Sequence, residues 1–128
     1  MCDFKIYEVN YINVHIKVYS SGFFDVTEEI QFNLINGIFS KGWRSIPFTG
    51  IDDIEVLGVE CVEGLRLSYQ VTYQVDRLDI NWQYSPVLAP ANLTFIIKYR
   101  VYGAITATSQ SQNMIDWLVV GLDGGCPY

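Results

Sequence analysis

The stretch from residue 12 to residue 34, INVHIKVYSSGFFDVTEEIQFNL, alternates apolar and polar side chains on both sides of Ser20-Ser21-Gly22. A period of two is typical of a strand with one buried face, and serine and glycine are common turn residues. The stretch therefore predicts a β-hairpin. Its second half places Glu28 on the apolar face, so we expect either a buried partner for this carboxylate or a bulge that turns it outward.

The rest of the chain continues in short strand-like runs. They are predicted at residues 51–62, 65–75, 78–84, 93–102 and 114–120. The first three are joined by short connections and predict a meander, and the consecutive Phe95, Ile96 and Ile97 predict a central strand covered on both faces. Glycines and prolines predict irregular structure at residues 38–50 and a loop at 85–91.

Seven to eight short, mostly antiparallel strands with regularly spaced turns are typical of a β-sandwich. We therefore expect an all-β, immunoglobulin-like sandwich over residues 1–121, followed by a flexible tail over residues 122–128. The length of 128 residues fits one domain. A hydrophobic fraction of 50% with 17% charged residues excludes a disordered chain.

The charge of the chain excludes several partners. The net charge is −6, and the eight basic residues are scattered along the sequence, whereas binding to nucleic acid needs clustered lysine and arginine. An anionic membrane surface is disfavoured for the same reason. No apolar run reaches the roughly 20 residues that span a bilayer. We therefore expect contact with a membrane only through segments outside this chain.

Catalytic residues are scarce in the sequence. The single histidine, His15, lies on the polar face of its strand, no nucleophile elbow is present, and the cysteines lack zinc-ligand spacing. A carboxylate pair or a calcium site remains open in principle, but acidic residues beside turns are usually solvated. The candidates for the carboxylate pair are Asp52, Asp53, Glu55, Asp76, Asp79 and Asp116, and those for calcium are Asp52, Asp53 and Asp76. We predict that the domain is not an enzyme and uses no cofactor or metal.

The cysteines and one asparagine could carry covalent features. Cys61 lies in an apolar run and is predicted to be a small buried hydrophobic residue. Cys2 and Cys126 are candidates for a disulfide, because the termini of a domain often lie close together. Asn92-Leu93-Thr94 is a glycosylation acceptor sequence, which matters only if the domain is exported.

Several short motifs, in order over residues 6–121, resemble one known family, the N-terminal domain of a widespread group of predicted bacterial and archaeal membrane proteins, catalogued as a domain of unknown function. The motifs are Gly22 with Asp25-Val26-Thr27-Glu28, Gly37-Ile38, Gly42-Trp43-Arg44-Ser45-Ile46-Pro47, Ile51 with Ile54-Glu55-Val56, Tyr99-Arg100-Val101-Tyr102-Gly103-Ala104, and Asp116-Trp117 with Gly121. In that family a signal peptide precedes the domain and transmembrane helices follow it. The resemblance implies an extracytoplasmic location, and because neither segment occurs in this sequence we expect a trimmed form.

These observations favour a binding or interaction domain with a protein partner or self-association. Trp43, Trp82 and Tyr84 flank predicted loops and are the candidate binding surface, since aromatic residues often anchor partners. A structural subunit of a surface filament or layer is one alternative, through exposed edge strands. A carbohydrate-binding module is another, with Trp43, Trp82 or Trp117 as stacking platforms. Glu28 and Arg44 are predicted to be structural, with Arg44 or a backbone amide satisfying the carboxylate.

Overall fold

A computed structural model describes residues 5–19, 22–48, 53–103 and 119–123 of the chain, and in the last stretch the side chain of Leu122. The described residues form strands and no helix. The strands are β1 (Ile6–Val18), β2 (Phe23–Asn36), β3 (Ile38–Pro47), β4 (Asp53–Cys61), β5 (Leu67–Tyr73), β6 (Arg77–Leu88), β7 (Ala91–Tyr102) and β8 (Val119–Asp123). The prediction of an all-β fold is confirmed.

The strands form two antiparallel sheets of four strands each. Sheet A has the order β1-β2-β7-β4, and sheet B has the order β5-β6-β3-β8. The apolar inner faces of the two sheets pack on each other. Eighteen buried hydrophobic side chains of the described residues form this core, among them Phe32, Phe95, Ile54, Ile80 and Trp82. The prediction of a β-sandwich is therefore also confirmed.

The hairpin predicted from residues 12–34 is present as β1 and β2. Val18 pairs with Phe24 next to the turn, where Gly22 adopts a φ of 92°, a conformation that favours glycine. Strand β7 lies between β2 and β4, as expected for a central strand. Its outer face is only partly covered, because Lys98 is exposed there. The predicted cover on both faces is therefore wrong.

Residues 38–47 form the regular strand β3, so the prediction of irregular structure there is wrong. The two residues that suggested a break have specific places in the strand. Gly42 faces the core at a point where the Trp82 ring occupies the space of a side chain. Pro47 is the last residue of the strand.

Strand β6 continues to Leu88, so the predicted loop at 85–91 begins too early. The pairs Phe39↔Val87 and Lys41↔Gln83 are separated by a shift in register, which leaves extra residues on β6. Such a bulge accommodates Pro86 within a strand.

Strands β4, β5 and β6 do not form the predicted meander. β4 pairs with β7 in sheet A, whereas β5 and β6 form a hairpin in sheet B. The connection after β4 therefore crosses between the sheets, with Gly64 at a φ of 88°. One sheet of an immunoglobulin sandwich has the strand order A-B-E-D. Sheet A has this order only if the β5–β6 hairpin is left out of the strand count, so that β7 takes the place of strand E. The immunoglobulin-like assignment stays a prediction.

The last described strand extends further along the chain than predicted. β8 spans Val119–Asp123, and residues 114–118 of the predicted strand are outside the described ranges. Leu122 pairs with Gly42 and is buried, so residues 122 and 123 belong to sheet B and the predicted tail does not begin at residue 122. In the described part of the chain, no helix is long and apolar enough to cross a membrane.

Candidate binding face on the second sheet

Glu28 and Arg44 form a buried ion pair between the two sheets. Glu28 projects inward from β2 and Arg44 from β3. Arg44 Nε donates to Glu28 Oε1 at 2.8 Å, and Nη2 donates to Oε2 at 2.8 Å. The side chains are at most 1% exposed. The structure thus supplies the partner that a carboxylate on an apolar strand face requires, and no bulge turns Glu28 outward.

Two further groups complete this cluster. The hydroxyl of Tyr99, on the central strand β7, donates to Glu28 Oε2 at 2.5 Å, and Arg44 Nη1 donates to the carbonyl of Ser45. Burial alone would lower the pKa of Arg44, but the charge and hydrogen bonds of Glu28 outweigh it, so that this pKa is raised. Burial, reinforced by the charge of Glu28, raises the pKa of Tyr99. The cluster is inaccessible, which makes it unsuited to binding or catalysis.

Trp82 and Tyr84 lie in the core, so the prediction that they contribute to a binding surface is wrong. Trp82 is 0% exposed and Tyr84 is 7% exposed. Both rings pack on Phe95, with centroid distances of 5.3 and 5.4 Å. The cause is their phase along β6, since they alternate in step with the buried Leu78 and Ile80. Burial raises the pKa of Tyr84.

Trp43 has the opposite orientation from Trp82. It follows Gly42 on β3, which faces the core, so Trp43 faces outward from sheet B and is half-buried. Nine residues of β3, β5 and β6 around Trp43, all on this outer face, form what we call the Trp43 face. They are Lys41, Trp43 and Ser45 on β3, Asp79, Asn81 and Gln83 on β6, and Ser68, Gln70 and Thr72 on β5.

The register of the strands places these side chains in rows across the sheet. Gln70 pairs with Asn81, and Asn81 pairs with Trp43, so that two amides and one indole lie side by side. The next row along contains Ser45 and Asp79, joined by a 2.6 Å hydrogen bond from the serine hydroxyl. With strands about 4.8 Å apart and a rise of about 3.4 Å per residue, the face measures roughly 10 by 14 Å.

The Trp43 face is polar. Among its nine residues Lys41 and Asp79 carry charge, and Arg77, in the next row of β6 on the same side of the sheet, donates to the Asp79 carboxylate, which also accepts a hydrogen bond from Ser45. The amides of Asn81 and Gln83 lie on exposed positions. Such a surface can stack a partner on the indole and exchange hydrogen bonds with it. Within the described residues, no group of three or more histidine, cysteine, aspartate or glutamate side chains is placed to hold a metal.

The outer face of sheet A carries a larger set of hydrogen bonds between its own side chains. Tyr11 donates to Glu29 at 2.8 Å, and the hydroxyl of Thr94 donates to Glu63 at 2.9 Å. The hydrogen bond to Glu29, aided by burial, raises the pKa of Tyr11. This part of the face is therefore occupied by contacts between its own side chains.

An ion pair between β2 and β7 lies on the same face, near the β1–β2 turn. Arg100 Nε donates to Asp25 Oδ1 at 2.7 Å, and the guanidinium lies over the Phe23 ring at 4.4 Å from the centroid. The hydrogen bond between the two side chains lowers the pKa of Asp25 and raises the pKa of Arg100. Two of the charges on this face are thus already paired.

The remaining predicted residues are dispersed. Cys61 is half-buried against the core, and burial raises the pKa of its thiol. Asn92 is exposed, while Thr94 of the same acceptor sequence is buried. His15 is exposed on the outer face of β1. Cys2, Cys126, Asp52, Asp116 and Trp117 lie outside the described residues, so the candidate disulfide stays a prediction.

The fold and this face define a class of protein, a two-sheet antiparallel β-sandwich domain with a polar outer face on sheet B. The chain belongs to the family described as "Predicted membrane protein (DUF2207) N-terminal domain", whose model matches residues 8–128. The resemblance seen in the sequence motifs is thereby confirmed. No curated protein and no solved structure matches the chain.

Proposed function

We propose that this domain is a non-catalytic, extracytoplasmic binding domain of a membrane-associated protein and that it binds its partner through the Trp43 face. The observation that carries the proposal is the placement of Trp43. Its indole is half-buried on the outside of a sheet, with the row of Gln70 and Asn81 beside it. The family description supports the association with a membrane protein.

The chemistry of the face favours association over reaction. Tryptophan is enriched among the residues that dominate binding energies, especially where weaker polar contacts surround it and exclude water. Catalysis would require a nucleophile beside a base, a positioned proton carrier or a metal. Asp79 is a carboxylate on this face, but its hydrogen bonds to Ser45 and Arg77 give it a structural role.

A protein partner is the first candidate for this face, either another protein or a second copy of the chain. The row of amides next to an indole also favours a carbohydrate as the second candidate. Planar side-chain amides both donate and accept hydrogen bonds, which matches the paired donor and acceptor character of sugar hydroxyls. The apolar face of a sugar ring could then stack on Trp43.

Two matched substitutions test the role of the face. Trp43→Ala removes the indole from the Trp43 face, whereas Tyr69→Ala removes an aromatic ring that is 40% exposed on β5 and does not belong to this face. A glycan array and light scattering on both variants separate sugar binding from self-association.

Binding of another protein is tested by crosslinking. A photo-crosslinking residue placed at Asn81 in the full-length membrane protein should give a discrete adduct with the partner, and Trp43→Ala should abolish this adduct. Binding that survives Trp43→Ala and is lost with Tyr69→Ala would reject the Trp43 face.

The extracytoplasmic location needs a separate test. A phosphatase reporter, active only outside the cytoplasm, and a fluorescent reporter, active inside it, can be fused in place of the domain in the full-length protein. Activity of the phosphatase fusion is the expected result. Activity of the fluorescent fusion alone would place the domain in the cytoplasm and refute this part of the proposal.

A further inference from the structure

Strand β1 lies at one edge of sheet A, and among the described residues its only strand partner is β2. With 13 residues, β1 is the longest of the four edge strands, since β4, β5 and β8 have 9, 7 and 5 residues. A long free edge offers a row of hydrogen-bonding groups to another strand, and proteins commonly avoid this by keeping edge strands short.

The two edges on the other side of the sandwich are joined to each other. Tyr73 of β5 donates a 3.0 Å hydrogen bond to the carbonyl of Ile54 on β4. The ladder of β4 also has a register shift between Val56 and Gly58, and irregularities of this kind hinder the addition of a strand. The edge of β1 is therefore better suited to pairing than the edges of β4 and β5.

The hydrogen bonds of the β1–β2 hairpin determine which backbone groups of β1 are on the free edge. The amide of Tyr19 donates to the carbonyl of Phe23 at 3.1 Å, and the ladder keeps this register back to residue 11. In an antiparallel ladder the hydrogen-bonded and non-hydrogen-bonded pairs alternate. The odd-numbered residues of β1 therefore bond to β2, and the amides and carbonyls of Ile12, Val14 and Ile16 point away from it.

The usual protection of an edge strand is missing from this part of β1. Between Tyr11 and Val18 the register is unbroken, so no bulge twists the strand. The same residues include no proline, and their one charged side chain, Lys17, is exposed on the outer face instead of pointing inward. Bulges, prolines and inward-pointing charges are the features that normally prevent edges from pairing.

The inner face of β1 is complementary to a second copy of itself. In an antiparallel pair with Val14 opposite Val14 of the other copy, Ile12 lies opposite Ile16. These side chains all lie on the inner face, where each is half-buried in the single chain. Aliphatic and β-branched neighbours on one face stabilise a strand pair.

The outer face of β1 accepts the same register. Asn13 then lies opposite His15, and Tyr11 lies opposite Lys17, so that no two like charges face each other. The three residues at positions 13, 15 and 17 are exposed, and no side chain has to leave the core to make the contact.

We propose that two copies of the chain pair edge to edge through β1, with Val14 at the two-fold axis, so that their two four-stranded sheets A become continuous. The contact uses the same edge in both copies and therefore closes at the dimer. One pair of strands is a small interface, so the free domains associate weakly. Attachment to a membrane strengthens such an association by raising the effective concentration. The interface is on sheet A, whereas the Trp43 face is on sheet B.

Two variants that change the same exposed positions test this register. Asn13→Lys with His15→Lys places like charges opposite each other across the dimer, whereas Asn13→Lys with His15→Glu places opposite charges there. Sedimentation equilibrium is measured up to millimolar chain. The parent is expected to rise from 14.6 kDa toward twice this mass. The dissociation constant should be about tenfold higher for the variant with like charges and no higher than that of the parent for the other.

Three results would overturn the proposal. The parent could stay at 14.6 kDa throughout, both variants could associate as the parent does, or both could lose association, which would contradict the pairing of residues 13 and 15. Trp43→Ala should dimerise like the parent, so the Trp43 face and the β1 contact can fail independently.

Hydrogen exchange tests the free edge itself. The amides of Ile12, Val14 and Ile16 should exchange rapidly at low chain concentration and more slowly where the dimer forms. The amides of Asn13 and His15 are the internal control, because they bond to β2 and should be protected at both concentrations. If the three edge amides are already protected in the monomer, another segment of the chain covers the edge and the proposal is wrong.

Discussion

The guanidinium of Arg44 on sheet B donates two parallel hydrogen bonds of 2.8 Å to the carboxylate of Glu28 on sheet A. Paired, doubly hydrogen-bonded contacts of this kind are among the strongest and most directional between side chains. This contact fixes how one sheet is placed over the other. Hydrophobic packing alone would tolerate small shifts of the sheets, because it has no preferred direction.

The first prediction concerns the loss of one partner of this pair. Glu28→Ala leaves a buried guanidinium without its counter-charge, which should lower the free energy of unfolding by about 3–5 kcal/mol. Urea denaturation of the variant and the parent measures this difference. The double variant Glu28→Met with Arg44→Met is the control, since it removes both charges and should recover most of the loss. A Glu28→Ala variant as stable as the parent would contradict the structural role.

The second prediction concerns the packing of Gly42 under Trp82. A Cβ at position 42 would overlap the indole ring, so Gly42→Ala should destabilise the domain by about 1–3 kcal/mol, as overpacked cores are. Thermal unfolding followed by circular dichroism can detect this change.

Gly58 provides the matched control for this substitution. Nothing lies within 4 Å of a Cβ built at Gly58, so Gly58→Ala should leave the melting temperature nearly unchanged. If both alanine variants melt together with the parent, the contact between Gly42 and Trp82 does not constrain the sandwich.

The third prediction is a pH dependence from the Asp25–Arg100 pair. Hydrogen bonding to Arg100 lowers the pKa of Asp25 in the folded protein, compared with about 3.9 in an unfolded chain. The pair therefore stabilises the fold above this value, and its contribution disappears as the pH falls through the lowered pKa. The gap in urea midpoint between the parent and Asp25→Asn should thus be present at neutral pH and close in acid.

The control for this pH effect is Asp76→Asn, because the Asp76 side chain is 77% exposed. Its urea midpoint should follow that of the parent at both pH values. A gap for Asp25→Asn that persists unchanged in acid would show that the substitution acts through something other than the charge of the carboxylate.

The fourth prediction concerns the thiols. If Cys2 and Cys126 form a disulfide, the chain purified without reductant should show one free thiol in denaturant out of its three cysteines. Such a long loop would stabilise the fold by about 5 kcal/mol in the chain-entropy model. The remaining thiol, Cys61, should react slowly in the native protein, because burial raises its pKa. Three thiols in denaturant would exclude the disulfide.

The sequence predicted the features that depend on local alternation. Strand β2 is the clearest example, because its inward residues from Phe24 to Leu34 alternate without interruption. The same alternation singled out Glu28, and the high cost of an unpaired buried charge then required a partner. Arg44 could be named because it also falls in a motif, although its distance from Glu28 was not visible in the sequence.

The sequence missed features that depend on which sheet a strand joins. Short connections such as residues 62–66 serve equally well within a sheet and between sheets, so the meander could not be distinguished from the observed crossing. Trp82 and Tyr84 were misplaced for another reason. Their phase with Leu78 and Ile80 indicates burial, whereas their position near a predicted loop indicates exposure, and in the structure the phase along β6 decides.

The pairing of β3 with β8 has a consequence for the order in which the domain can fold during synthesis. The hairpin of β1 and β2 can close as soon as both strands leave the ribosome, but one side of β3 stays open until the residues of β8 have been made. An unpaired strand edge invites association with other chains, and distant pairings form slowly. Until β8 appears, newly made chains therefore keep one unpaired edge of β3 that favours association with other chains.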